Sequence, residues 1–237
     1  METTMYDTLL QLPLFQGLCK DDFTAIIEKV KFHFQHYKKN EIIIKQGEVC
    51  NHLTFLLNGE VTSITIDSLQ GYTLTETFQG PYIIEPYSLF GMSTNYMATY
   101  QAHTDVQILT IEKSFVYTEL NNYEIFRLNY LNILSSRIQS ALQKSWNNHI
   151  GTLAENFVRF LQTRCHNPEG RKKLYITMED LARLIHEPRI NVSKMLNELH
   201  KQELIQLKRK EIVIPAFEKL AESLNQYVIL AILRIKI

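Results

Sequence analysis

Arg189, Asn191, Ser193 and Lys194 lie within six consecutive residues and offer a guanidinium fork, a carboxamide, a hydroxyl and an ammonium. These are the groups that hydrogen-bond base edges and phosphate oxygens. Such donors need a rigid rod to carry them into a groove. The surrounding run, TMEDLARLIHEPRINVSKMLNELHK at 177–201, supplies one. Leu181, Leu184 and Ile185 recur at helical spacing before a break at His186-Glu187-Pro188, and Val192, Met195, Leu196 and Leu199 recur after it. Pro188 has a fixed φ and no N–H, so it cannot extend the first helix but suits the start of the second. Thr177 followed by Asp180 resembles a capping box with Asp at its third position. Two helices around a tight turn, the second opening with long donors, describe a helix-turn-helix that reads a DNA major groove. The same pattern also describes a helical hairpin in a core.

The residues beyond Lys201 favour nucleic acid. Leu204-Ile205-Gln206-Leu207 and Glu211-Ile212-Val213-Ile214 are apolar-rich runs on either side of Lys208-Arg209-Lys210, a β-hairpin with a basic tip. Beside a recognition helix such a wing puts cations against the phosphate backbone. Whole-chain charge is zero, with 25 basic and 25 acidic side chains, but its distribution is uneven. From Ile150 onward 15 basic residues stand against 10 acidic ones, and before it the numbers are reversed. A basic end on an acidic remainder fits a DNA-binding domain joined to a domain with another task.

At 237 residues, with 45% hydrophobic and 11% aromatic content, the chain can build two ordinary cores. No stretch approaches the roughly 20 apolar residues of a membrane span, and METTMYDTLLQLPLF lacks the basic start and cleavage site of a signal peptide. Cys19, Cys50 and Cys165 are odd in number and far apart, giving neither a disulfide framework nor a metal spacing. A cytoplasmic protein with ordinary thiols, no metal and no membrane partner is expected. Phosphate-loop, zinc-protease and nucleophile-elbow motifs are all missing from the sequence, so no catalytic residue is assigned and an enzyme is not expected.

Residues 7–30 are helical in pattern, broken at Pro13 and Gly17. From Phe32 to about Ile111 short runs rich in Ile, Thr, Tyr and Phe are punctuated by Gly47, Gly59, Gly71 and Gly80, the texture of a compact β domain. Asn58-Gly59 suits a tight hairpin turn. From Lys113 the helical period returns without Pro or Gly until beyond Asn148. Leu131, Leu134, Ile138, Ala141 and Ser145 form a heptad seam, thickened by Leu128, Leu142 and Trp146. That stripe packs either on its own β domain or on a second copy; two-fold symmetry suits a protein reading two half-sites. Thr152 and Glu155 form a capping box for a further helix bearing Phe157, Phe160 and Leu161. Beyond the wing, Phe217, Leu220, Leu224 and Val228 mark a last helix, ending in an apolar VILAILRIKI that packs on the protein or a partner.

The order of parts resembles the Crp/Fnr family of bacterial transcription regulators along almost the whole chain. The residues that carry it are LPLFQGLCKDDF at 12–23, YKKNEIIIKQGEVCNHLTFLLNGEV at 37–61 and ITMEDLARLIHEPRINVSKMLNELHKQELI at 176–205. The resemblance implies an α+β fold with three parts. These are an N-terminal helix and cupin-like β-roll of the cyclic-nucleotide-binding type (1–112), a dimerisation helix and hinge (113–150) and a C-terminal winged helix-turn-helix (151–237). It implies a homodimer on double-stranded DNA with a palindromic operator, RNA polymerase as a further partner, and an effector sensed in the roll. The DNA contacts expected are Thr177, Arg189, Ile190, Asn191, Ser193 and Lys194, with Lys208, Arg209 and Lys210 on the wing. The dimer residues are Leu131, Leu134, Ile138, Ala141, Leu142 and Ser145.

Two departures qualify it. Family members usually carry Arg, Glu and, four residues later, Arg in the recognition helix; here the positions hold Arg189, Ile190 and Lys194. Ile190 cannot accept from a cytosine amino group, so the operator differs at that base pair, an apolar contact to a thymine methyl being the substitute. In members that bind cyclic nucleotides, a Gly-Glu pair and a later Arg-Ser pair hold the ligand. Here Glu85 matches, Ile84 replaces Gly, and Tyr96 and Met97 replace Arg-Ser. Without that cation the cyclic phosphate has no partner, and cyclic AMP binding in the usual mode is not expected. An effector of another kind would lie among Glu85, Tyr96, Met97, Thr99, Ser136 and Ser140, or that pocket is filled by its own side chains. No cofactor is predicted. An iron–sulfur cluster lacks clustered cysteines, and the possible haem ligands His33, His36, His52 and His103 lie in no diagnostic motif. The alternative reading is a ligand-sensing roll that acts through a protein partner.

Overall fold

Phe15 organises the first core: its ring centroid lies 5.7 Å from that of Phe23, 5.8 Å from Phe55 and 5.6 Å from Phe126. It thus joins the N-terminal segment, a β-sheet and a long helix in one aromatic cluster. The structure is a computed structural model that describes residues 9–146 and 151–224. Its helices are α1 (Lys20–Lys29), α2 (Lys113–Thr118), α3 (Glu124–Trp146), α4 (Leu153–Arg164), α5 (Met178–Leu184) and α6 (Arg189–Lys201). Its strands are β1 (His33–Tyr37), β2 (Ile42–Ile44), β3 (His52–Asn58), β4 (Glu60–Asp67), β5 (Tyr72–Gln79), β6 (Tyr82–Ile84), β7 (Thr99–Ala102), β8 (Val106–Glu112), β9 (Lys172–Ile176), β10 (Gln206–Lys208) and β11 (Glu211–Ile214). Two compact units result, one of Met1–Ser63 with Phe78–Ser140, the other of Ile64–Thr77 with Ala141–Ile237. Among the described residues no helix is long and apolar enough to cross a membrane.

In the first unit an antiparallel sheet runs β1-β8-β3-β6. Phe55 pairs with Leu109 at its centre, and neither is exposed to solvent. The expected hairpin at Asn58-Gly59 does not form. β3 belongs to this sheet, whereas β4 lies between β5 and β7, so Gly59 is a corner where the chain changes sheets. It has φ +87°, and a Cβ there would meet the carbonyl of Asp105, so glycine is required on both counts. The N-terminal break also falls as expected: turns replace helix over 11–17, with Leu12, Leu14 and Phe15 fully buried. The helical period after Lys113 is carried by α2 and α3, separated by a 3-10 turn at Leu120–Asn122. Leu120, fully buried, pins that corner. On α3, Phe126, Tyr130 and Ile133 pack against the first core.

The second unit contains the winged helix-turn-helix and the outer halves of β4 and β5. Its strands run β10-β11-β9-β5. Leu174 of β9 lies between Ile212 of β11 and Leu74 of β5. Next along, Glu76 of β5 pairs with Lys172 of β9, and both side chains are buried with Nζ 3.2 Å from Oε1. Neither β9 nor this strand addition is visible in the sequence. The α4 capping box is present, with Glu155 N–H donating to Thr152 Oγ1 (3.3 Å) and Thr152 N–H to Glu155 Oε2 (2.8 Å). Phe217, Leu220 and Leu224 are buried in a final helical stretch over 217–224. The hinge residues 147–150, Val228 and the apolar terminus lie outside the described residues, as do the side chains of Ser145 and Trp146.

Candidate nucleic-acid interface

Val192, Met195, Leu196 and Leu199 anchor one face of α6 in the second core, and Leu181, Ala182 and Ile185 do the same for α5. Helical geometry then decides what points outward. Arg189, Ile190, Asn191 and Lys194 are exposed, Ile190 at 69%, and Ser193 is half-buried with its carbonyl accepting Asn197 Nδ2 at 2.8 Å. Asn197, one turn beyond Ser193 and exposed, extends the polar face further along the helix than the four donors at 189–194. A bare aliphatic side chain at the front of an otherwise polar face has no packing role in this unit.

The turn that aims α6 depends on His186 at φ 55°, a left-handed conformation that histidine tolerates better than most residues. The N–H of Glu187 donates to the Ala182 carbonyl at 3.0 Å, closing the end of α5, and Pro188 caps α6 in extended conformation. At the other end of α5, Thr177 Oγ1 accepts the Asp180 N–H (3.1 Å) and donates to Asp180 Oδ2 (2.6 Å). This differs from a full capping box: the carboxylate binds the capping hydroxyl, not the capping N–H. Arg183 Nη2 takes the other oxygen of Asp180 at 2.8 Å. Arg189 Nη1 lies 2.9 Å from Oε1 of Glu179, also on α5. The sequence offered no signal for that pair, because the two residues are ten apart on different helices.

Lys208 ends β10 and Arg209-Lys210 make the turn to β11; all three are exposed, with Lys210 at φ 59°. β11 is tied to β9 in register from Glu211↔Tyr175 to Ile214↔Lys172. The basic tip therefore projects from an anchored strand.

The pocket residues named from the sequence divide into two groups. Glu85 is 1% exposed with φ 38°, and its carboxylate is fully engaged. Oε2 accepts from Ser88 Oγ (2.8 Å) and Met97 N–H (2.8 Å), and Oε1 from Ala98 N–H (3.0 Å) and the Tyr100 hydroxyl (3.2 Å). Burial, with the Glu85 carboxylate next, pushes the Tyr100 hydroxyl well above the ordinary tyrosine range, so it remains a donor. Tyr96 is buried and donates to the His52 carbonyl at 3.3 Å; burial and the neighbouring Cys50 likewise raise its pKa. Thr99 Oγ1 accepts the Gln46 N–H at 3.0 Å, and the Met97 side chain is exposed. Ser136 and Ser140 do not join them, for both are exposed on α3. The phase of α3 is set by Phe126, Tyr130 and Ile133, and the next residue on that face is Arg137, whose Nη2 donates to the Tyr82 hydroxyl at 3.1 Å. The seam residues Leu131, Ile138, Ala141 and Leu142 are exposed and Leu134 is half-buried.

The cyclic nucleotide-binding domain family matches residues 34–123, and the Crp-like helix-turn-helix domain family matches residues 155–223. Comparison with curated proteins gives no match. Among solved structures the chain is similar to the catabolite activator protein of Thermus thermophilus, at 20% identity and a TM-score of 0.49, covering 90% of this chain and 99% of that one. It is also similar to DNR from Pseudomonas aeruginosa, at 20% identity and a TM-score of 0.46, covering 94% and 99%. A third similarity is to FixK2 from Bradyrhizobium japonicum, at 16% identity and a TM-score of 0.46, covering 82% and 98%. The two domain matches together take in most of the chain and occur in the order its architecture requires. The chain carries a cyclic nucleotide-binding domain followed by a Crp-like helix-turn-helix domain, the make-up of a DNA-binding transcription regulator.

Proposed function

We propose that the protein is a homodimeric, sequence-specific transcription regulator whose α6 enters the major groove of a palindromic operator, and whose input is not cyclic AMP in the family's usual mode. The observation that carries this is the outward face of α6. Arg189, Ile190, Asn191 and Lys194 project from a helix held by four buried apolar residues, beside the three exposed cations of the wing. Arg189 offers a fork to guanine, Lys194 reaches guanine or phosphate, and Ile190 suits a thymine methyl. The work is binding; no step of it needs a catalytic group.

Leu128, Leu131, Ile138 and Leu142, between 43% and 59% exposed, support the dimer. A stripe of four large aliphatic side chains at heptad spacing is costly to leave in water and fits a second copy related by a two-fold axis. Leu131 also borders an apolar cavity of about 340 Å³ among Phe90, Val116, Tyr117, Phe126 and Tyr130, which extends the surface to be covered. Bound at a promoter, such a dimer acts with or against RNA polymerase in the cytoplasm.

Against cyclic AMP stand two features. Tyr96, at a position where the family's ligand-binding members carry the phosphate-binding Arg, turns inward and bonds to the chain itself. Glu85 has two donors on each oxygen, so little acceptor capacity remains for a ribose hydroxyl. Calorimetric titration with cyclic AMP is expected to show no micromolar binding; a micromolar Kd would overturn that part of the reading.

Selection from random DNA with the full-length protein is the decisive test. It should return two symmetric half-sites whose binding falls steeply with salt. Arg189→Ala should cost about 1–3 kcal/mol of specific affinity and relax one base pair, whereas neutralising Lys208, Arg209 and Lys210 together should weaken all sequences alike. Unchanged operator affinity in Arg189→Ala would remove α6 from the base-reading role.

A further inference from the structure

Glu179 places a negative charge on the side of α5 that faces the recognition helix, where DNA phosphates would approach. Its side chain is 65% exposed, that of Arg189 is 66% exposed, and Arg189 Nη1 lies 2.9 Å from Glu179 Oε1. An ion pair this open to water contributes little to folding. An acidic group beside a phosphate-binding surface is unfavourable unless it is neutralised there.

The geometry of the guanidinium gives the pair a use. Nη1 is the nitrogen outside the edge formed by Nε and Nη2. Holding Nη1 leaves that planar edge open, with two parallel N–H groups that match O6 and N7 of guanine. It also restricts rotation about the arginine's long side chain, whose freedom would otherwise let the cation settle on any nearby phosphate. The neighbouring carboxylate cannot substitute: both oxygens of Asp180 are taken, one by Arg183 and one by the Thr177 hydroxyl. We propose that Glu179 is a specificity-positioning residue, which orients Arg189 so that it reads a guanine through its Nε–Nη2 edge. This rests on the reading of α6 as the major-groove helix.

The test uses the full-length protein, the selected operator, its three alternatives at the base pair read by Arg189, and random-sequence DNA. Glu179→Ala should bind random DNA more tightly, because one anion has gone, yet lose about three- to tenfold of the preference for guanine at that base pair. Glu179→Gln, which keeps an acceptor oxygen without the charge, should retain more of the preference than Glu179→Ala. Melting temperatures should match wild type, since the pair is exposed. If Glu179→Ala keeps the full guanine preference while Arg189→Ala loses it, the positioning role fails and the DNA-reading role of α6 stands. If the wild-type protein shows no base preference at any position, both fail together.

Discussion

Among the described residues each unit buries one glutamate, Glu85 in the roll and Glu76 in the DNA-binding unit, and the two are satisfied in opposite ways. Glu85 has four neutral donors and no cation: two backbone N–H groups from 97–98, and the hydroxyls of Ser88 and Tyr100. Glu76 accepts the N–H groups of His166 and Asn167, at 2.9 and 3.0 Å, and pairs with the buried Lys172. The first arrangement wraps a loop around an anion with neutral donors alone. The second ties a strand addition, β5 on β9, into the sheet that carries the wing. A buried carboxylate can thus organise a loop with dipoles alone or join two segments through an ion, and the way each fails should differ.

The largest expected effect breaks the ionic arrangement. Lys172→Met leaves Glu76 buried without its cation and should lower stability by about 3–5 kcal/mol in urea unfolding. Replacing both partners with apolar residues should recover much of it. A cost below about 1 kcal/mol for the single change would mean that water reaches the pair and that the two glutamates are not so different. Next is Glu85→Gln, whose amide nitrogen must face N–H donors. It should cost about 1–3 kcal/mol, less than loss of the lysine, because no unpaired charge is left behind. A cost matching that of Lys172→Met would show that the roll depends on the charge itself. The smallest effect is at the half-buried cap of α5. Thr177→Ala should cost about 1 kcal/mol, because water can replace a capping hydroxyl there far better than it can reach Glu76 or Glu85. Thermal melts of this variant sharpen the comparison by giving the scale of an accessible polar contact.

The helix-turn-helix was legible because its signals are local. Leu181, Ile185, Val192, Met195, Leu196 and Leu199, read by period alone, all reach the second core. Pro188 at the start of α6 follows from the chemistry of a single residue, and Thr152 with Glu155 needed only four residues of chain. The roll misled where pairing is non-local. Asn58-Gly59 signals a sharp reversal, but which sheet each strand joins depends on partners far along the chain. Strand β9 gave no signal of its own, since it opens with Lys172 and Lys173, and only the fold places Glu76 opposite Lys172. Ser136 and Ser140 were assigned toward the roll, yet each residue turns a helix by about 100°, and the packing of Phe126, Tyr130 and Ile133 brings Arg137 round instead.

The kind of protein this is could be read from residues alone. Periodicity, capping residues and a basic hairpin tip all act over a few residues, so they survive without knowledge of the fold. The disposition of charges, by contrast, came from folding. It placed Glu179 against Arg189, Lys172 against Glu76 and four donors around Glu85. The reason is physical: an ionisable side chain takes its role from whatever lies within a few ångströms of it, and folding supplies those neighbours from distant parts of the chain.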